Sequence, residues 1–131
     1  MASREVIVPK NDKLNVSRNF NLPHSPGIRA GDFIFLSGML STDPETGERS
    51  PGTMAHETRQ TLTSMRHLLE SGGSSLDRLV QVRAMIYDRI EYDALNRVYR
   101  QYVPEGPPAR TVWSVRIMDA FKVQLDAIAL A

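Results

Sequence analysis

The chain contains no cysteine, which excludes disulfides, thiolate metal sites and a cysteine nucleophile together. It has no apolar run near the ~18 residues that a membrane-spanning helix needs. Neither charge is in surplus: 16 basic against 15 acidic side chains leave a formal net charge of +1. Without a basic, aromatic-interleaved stripe nothing favours a nucleic-acid partner, and RNA cleavage is disfavoured with it. Histidine is scarce, and His56 and His67 stand about three helical turns apart, too far for one metal ion to bridge. The first twenty residues carry Arg4, Glu5, Lys10, Asp12, Lys13 and Arg18 and no apolar core segment, unlike a secretory leader. Glycine-rich phosphate loops are missing as well, because Gly72-Gly73 follows a helical pattern instead of preceding one. These absences predict a soluble, cytoplasmic domain with no metal, no cofactor and no membrane partner. With 131 residues the chain is long enough for one core and too short for two, so residues 1–131 read as a single domain.

What is present alternates between strand and helix patterns. Arg4–Val8 is a short apolar stretch closed by Pro9, and Asn11–Pro26, with two prolines, reads as loop. Gly27–Asp32 reads as a short strand and turn. Phe33–Gly38 is apolar until its end, as in a strand covered on both faces. Thr53 is a candidate N-cap for a helix whose stripe is Leu62, Met65, Leu68 and Leu69, with Glu57 in the first turn as a partner for the helix dipole. Leu79–Tyr87 alternates as a strand, and Tyr92–Val103 reads as a second helix stopped by Pro104. Thr111–Ile117 and Phe121–Ala129 complete the pattern as strands. The order β-β-β-α-β-α-β-β predicts an α+β fold: a single sheet with two helices on one face. Apolar residues also fall on the second face, which predicts a partner there, most simply another copy of the chain.

One segment carries chemistry. Pro107 and Pro108 fix a stiff, extended approach to Arg110 at a strand entrance, and a guanidinium held there can clamp a carboxylate bidentately. A structural salt bridge fits the same spacing.

Several segments together resemble the Rid (YjgF-like) family. They are Ala30–Gly38, Asp43–Glu48, Thr58–Leu62 with the Gly72-Gly73 exit, Asn96–Tyr99, Pro108–Thr111 and Asp126–Ala129, in the same order and with similar gaps. The resemblance implies a chorismate-mutase-like fold and a homotrimer with ligand clefts between subunits. It implies hydrolysis of reactive enamines and imines, or of aminomuconate-type compounds, to oxo acids and ammonia. It also assigns roles: Arg110 to the substrate carboxylate, Ser37 and Gly38 to the cleft lining, Asn96 to its neighbourhood and the Val112 backbone to ligand hydrogen bonds.

Two positions depart from that pattern. His24 stands where deaminating members often have tyrosine, and Gln124 where they have glutamate. Gln124 can hold a water but cannot accept its proton at neutral pH, and loss of a general base typically costs about 10²–10⁴-fold. His24 is the replacement proton carrier, since histidine ordinarily titrates near pH 6.5; it also fits a solvent-facing loop. Asp126 shares a strand face with Gln124. The expected function is therefore binding of a small carboxylate-bearing imine or enamine, with deamination or tautomerisation. The alternative is a non-catalytic module that binds a metabolite or docks on an enzyme.

Overall fold

The structure, a computed structural model, describes residues 3–131. Its elements are β1 (Arg4–Ile7), a single helical turn α1 (Val16–Asn19), β2 (Gly27–Ala30), β3 (Phe33–Met39), α2 (Met54–Ser71), β4 (Leu79–Ile86), α3 (Tyr92–Tyr102), β5 (Ala109–Ser114) and β6 (Val123–Leu130). The six strands form one sheet in the order β1-β2-β3-β6-β4-β5. Every neighbouring pair is antiparallel except β4 and β5, which are parallel and joined through α3. This is the expected α+β fold.

Alternation sets the two faces of the sheet. Ile34 and Leu36 of β3, Val82, Ala84 and Ile86 of β4, and Val123, Leu125, Ala127 and Ala129 of β6 are buried. They pack against α2, whose Leu62, Met65, Leu68 and Leu69 are buried in turn, and against Leu95 and Tyr99 of α3. Burying a side chain of this size contributes roughly 1.5–3 kcal/mol each. Thr53 caps α2 by accepting a hydrogen bond from the His56 amide. Gly73, at φ 83, takes the left-handed conformation that turns the chain out of the helix.

Within the single chain the helices cover one side of Phe33–Leu36, and its other side is the open face on which a partner copy is expected. Phe33 and Phe35 are 40% and 44% exposed, because both helices lie on the opposite face. Val6, Ile28, Phe35 and Ile128 follow one another across β1, β2, β3 and β6 on that open face. Nearby, Arg83 of β4 and Asp126 of β6 form a two-pronged ion pair at 2.7 and 3.0 Å, and the Asp126 carboxylate raises the Arg83 pKa.

Three local readings change. The segment Asn11–Pro26 is not all loop: Asn11 and Asn15 cap a 3-10 turn over Asp12–Leu14 and the turn α1. The last two strands are each shorter than expected. Lys122 donates its amide to Glu57 instead of to a neighbouring strand, so β6 begins at Val123, although Phe121 is buried. Glu57 is more than a dipole partner. It is fully buried, and its carboxylate accepts from the Gly52 amide at 3.0 Å and the Lys122 amide at 2.8 Å. It thereby ties the start of α2 to the entrance of β6.

Candidate functional site

A cavity of about 320 Å³ opens at the end of the sheet where β3 shifts register between Leu36 and Met39. Ser37, Gly38, His24 and Gln124 all line it, so four of the residues singled out in the sequence come together. Ser37 organises the wall. Its amide donates to Pro26 O at 3.0 Å and its hydroxyl to Ser25 O at 2.5 Å, which pins the loop carrying His24 against β3. With its proton committed to Ser25, the Ser37 oxygen keeps lone pairs for a donor in the cavity. His24 Nδ1 lies 2.8 Å from Ser17 Oγ, which orients the ring and leaves Nε2 for other partners. The Gln124 amide crosses the Gly38 backbone closely: a Cβ built on Gly38 falls 2.5 Å from Gln124 Nε2. Asp126, two residues on, is engaged by Arg83 and is no spare proton carrier.

Arg110 belongs to a second cluster. Its Nη2 donates to Asn96 Oδ1 at 2.7 Å and, more weakly, to the Tyr92 hydroxyl at 3.4 Å. Its guanidinium carbon lies 4.7 Å from the centre of the Tyr99 ring and 5.8 Å from that of Tyr92, in cation–π contact with both. Both two-pronged edges of a guanidinium use one Nη2 hydrogen. The short bond to Asn96 fills one such position, and the long contact to Tyr92 is the one a carboxylate would displace. Among the described residues Arg110 makes no salt bridge, so the arginine is held by neutral partners. A hydrogen bond with Asn96, followed by one with Arg110 and the charge of Arg110, lowers the Tyr92 pKa from its ordinary value. Burial raises that of Tyr99, with Arg110 opposing. Among the described residues the Tyr99 hydroxyl has no hydrogen-bond partner. Val112, two residues after Arg110, is half-buried against the core edge.

Arg110 and Gln124 do not meet within one chain. Val82 of β4 pairs with Arg110 on one side and Ala127 on the other, so Gln124 lies three residues along β6 and two strands across. Strand spacings put their Cα atoms roughly 14 Å apart. They also face opposite ways: Arg110 packs on α3, whereas Gln124 alternates with the buried Val123 and Leu125.

Tyr92, Ser17 and Arg49 escaped the sequence reading. Tyr92 and Tyr99 flank Asn96 at spacings of four and three, which places all three on one helix face; that spacing was the available signal. Arg49 lines the cavity from the turn before α2 and carried none. Among the described residues no three His, Asp or Glu side chains form a group able to hold a metal ion. Among the same residues no helix is long and apolar enough to cross a membrane.

Comparison with known proteins follows the same outline. The profile of the family described as Endoribonuclease L-PSP matches residues 18–131. A RutC family protein of Pyrococcus horikoshii is 35% identical over 108 residues, covering 82% of this chain and 86% of that one. A 2-iminobutanoate/2-iminopropanoate deaminase of Capra hircus is 30% identical over 109 residues, covering 82% and 80%. Among solved structures, a protein of Thermotoga maritima described as a possible endoribonuclease superposes with a TM-score of 0.79 at 32% identity, covering 83% and 87%. The Escherichia coli protein TdcF, solved with bound serine, gives 0.78 at 26% identity, covering 83% and 88%.

Proposed function

The chain belongs to the Endoribonuclease L-PSP family, the Rid family that its sequence resembles, and we propose that it binds a small carboxylate-bearing imine or enamine and hydrolyses it. The reaction adds water across C=N to a carbinolamine, then breaks the C–N bond to give the 2-oxo acid and ammonia. The observation that carries this reading is the division of the site. Among the described residues Arg110 has no acidic partner and lies against α3, while Ser37, Gly38, His24 and Gln124 line a cavity elsewhere on the sheet. The halves join only if two copies of the chain meet, and the exposed apolar face with Phe33, Phe35 and Trp113 supplies a surface for that. The assembly is a homotrimer with three shared clefts, and the protein works in the cytoplasm.

In such a cleft Arg110 of one copy holds the carboxylate. Ser37 Oγ of the next accepts from the imine N–H, the Gln124 side chain positions the water, and His24 Nε2 moves the proton. Asn96 steadies Arg110, and the Val112 backbone borders the ligand. Two relatives support the chemistry: one is named for deaminating 2-iminobutanoate and 2-iminopropanoate, and another was solved with an amino acid bound. A net charge of +1 gives no comparable support to cleavage of RNA. Gln124, which takes no proton, favours a second reading in which the cleft binds a metabolite without hydrolysing it.

Ammonia release from freshly generated 2-iminopropanoate, measured against buffer alone, tests the proposal. Acceleration by the wild type that is lost in Arg110→Ala is the expected result. Binding of 2-oxobutanoate with no acceleration would leave the binding module standing and remove the deaminase.

A further inference from the structure

Ser17 decides where His24 carries its hydrogen. Among the described residues the Ser17 Oγ has one hydrogen-bond partner, His24 Nδ1 at 2.8 Å. Ser17 is only 8% exposed, so its hydroxyl proton needs an acceptor inside the protein. Two arrangements fit the distance. If Nδ1–H donates to Oγ, the hydroxyl proton is left without an acceptor, the costly case for a buried donor. If the hydroxyl donates to the Nδ1 lone pair, both atoms are satisfied. The neutral ring then carries its hydrogen on Nε2.

His24 is exposed and lines the cavity beside Ser37 and Gln124. No Asp or Glu is among the lining residues and Arg49 is the only one with a permanent charge, so no carboxylate competes for the ring hydrogen. Arg18, next to Ser17, is turned to Asp12 and Asn19. We propose that Ser17 is a positioning residue that makes His24 a proton donor, not an acceptor, toward the bound imine. This rests on the cleft proposed above. A neutral imine carries one hydrogen and one lone pair on its nitrogen. Ser37 Oγ, whose own proton is committed to Ser25 O, takes the hydrogen, and His24 Nε2–H faces the lone pair. When Nδ1 gains a proton from solvent, the Ser17 hydroxyl turns and accepts from it. The Nε2 proton then passes to the imine nitrogen as the water oxygen bonds to carbon. The ring is left neutral, and the proton lost by the water goes to solvent.

Two measurements test this. Nitrogen NMR of protein labelled in its histidine rings, at about pH 8 where the ring is neutral, reads the tautomer, with His24→Gln identifying the signals. Hydrogen on Nε2 is expected, with a hydrogen-bonded lone pair on Nδ1 that Ser17→Ala loses and Ser17→Thr restores. Hydrogen on Nδ1 in the wild type overturns the proposal. The second measurement is ammonia release from 2-iminopropanoate, expressed as the ratio of wild type to His24→Ala at each pH, which cancels the titration of the imine itself. A donor gives a ratio of about 10² below roughly pH 6 that falls as pH rises through the ordinary histidine value. An acceptor gives a ratio that falls towards one on the acid side, and that result overturns the proposal. Ser17→Ala should lower the acid-side rate by ~10-fold and Ser17→Thr should recover it; an unchanged rate in Ser17→Ala removes Ser17 from the role. A wild type that releases no ammonia at any pH removes the deaminase reading, and the tautomer seen by NMR then decides on Ser17 alone.

Discussion

Gly38 and Gln124 pack so closely that a methyl group on Gly38 would lie 2.5 Å from the Gln124 amide nitrogen. The glycine is required for space and not for conformation, because its φ is not among the positive ones. Backbone and amide together form one wall of the cavity. Gly38→Ala must therefore push Gln124 aside or bend β3. It is expected to weaken binding of 2-oxobutanoate by more than ~10-fold while the protein still folds, as ligand titration and circular dichroism would show.

Gln124→Glu restores a proton acceptor at the same place. If catalysis is limited by the absent base, release of ammonia from simple imines should rise by ~10²-fold, the low end of general-base effects. If His24 already moves the proton, the gain should be small and His24→Ala should slow the wild type instead. A single initial-rate series on the three proteins distinguishes these outcomes.

The open sheet face predicts assembly. Light scattering at micromolar concentration should report three chains, and Phe35→Arg should give a smaller species, because an unpaired charge buried at an interface is strongly unfavourable. A monomeric wild type would remove the shared cleft.

Tyr92 and Tyr99 should titrate on either side of an ordinary tyrosine. Hydrogen bonds to Asn96 and Arg110 lower the first, and burial raises the second. The lowered Tyr92 adds stability as pH rises through its folded value towards 10, and the addition is lost as pH falls back through it. The raised Tyr99 acts oppositely: its contribution is present below pH 10 and is lost as pH climbs through its folded value. Tyrosinate absorbance should show an early and a late component. Arg110→Gln should move the early one upward.

Glu57→Ala removes a buried acceptor from the amides of Gly52 and Lys122. Each orphaned donor costs about 1–3 kcal/mol, so thermal unfolding should shift down clearly. Arg59→Ala at the exposed surface of the same helix, by contrast, should change stability by less than ~0.5 kcal/mol.

The sequence by itself determined the order of the strands and the two long helices, the helix stripe of Leu62, Met65 and Leu69, the alternation in Leu79–Ile86 and the stiff lead into Arg110. Each depends on short-range sterics and periodicity that a few neighbouring residues encode. It also carried the family likeness, and with it the grouping of Ser37, Gly38, His24 and Gln124. Tertiary structure alone decided that Glu57 is fully buried, since its partner Lys122 lies at the far end of the chain, before β6. The same holds for Arg83 engaging Asp126 and for Arg49 standing between Phe20 and Phe121. Most consequentially, it set Arg110 and Gln124 two strands apart in the sheet and on opposite faces. Which residues share a cavity depends on strand order and register, and these follow from the packing of segments far apart in the chain rather than from any local pattern.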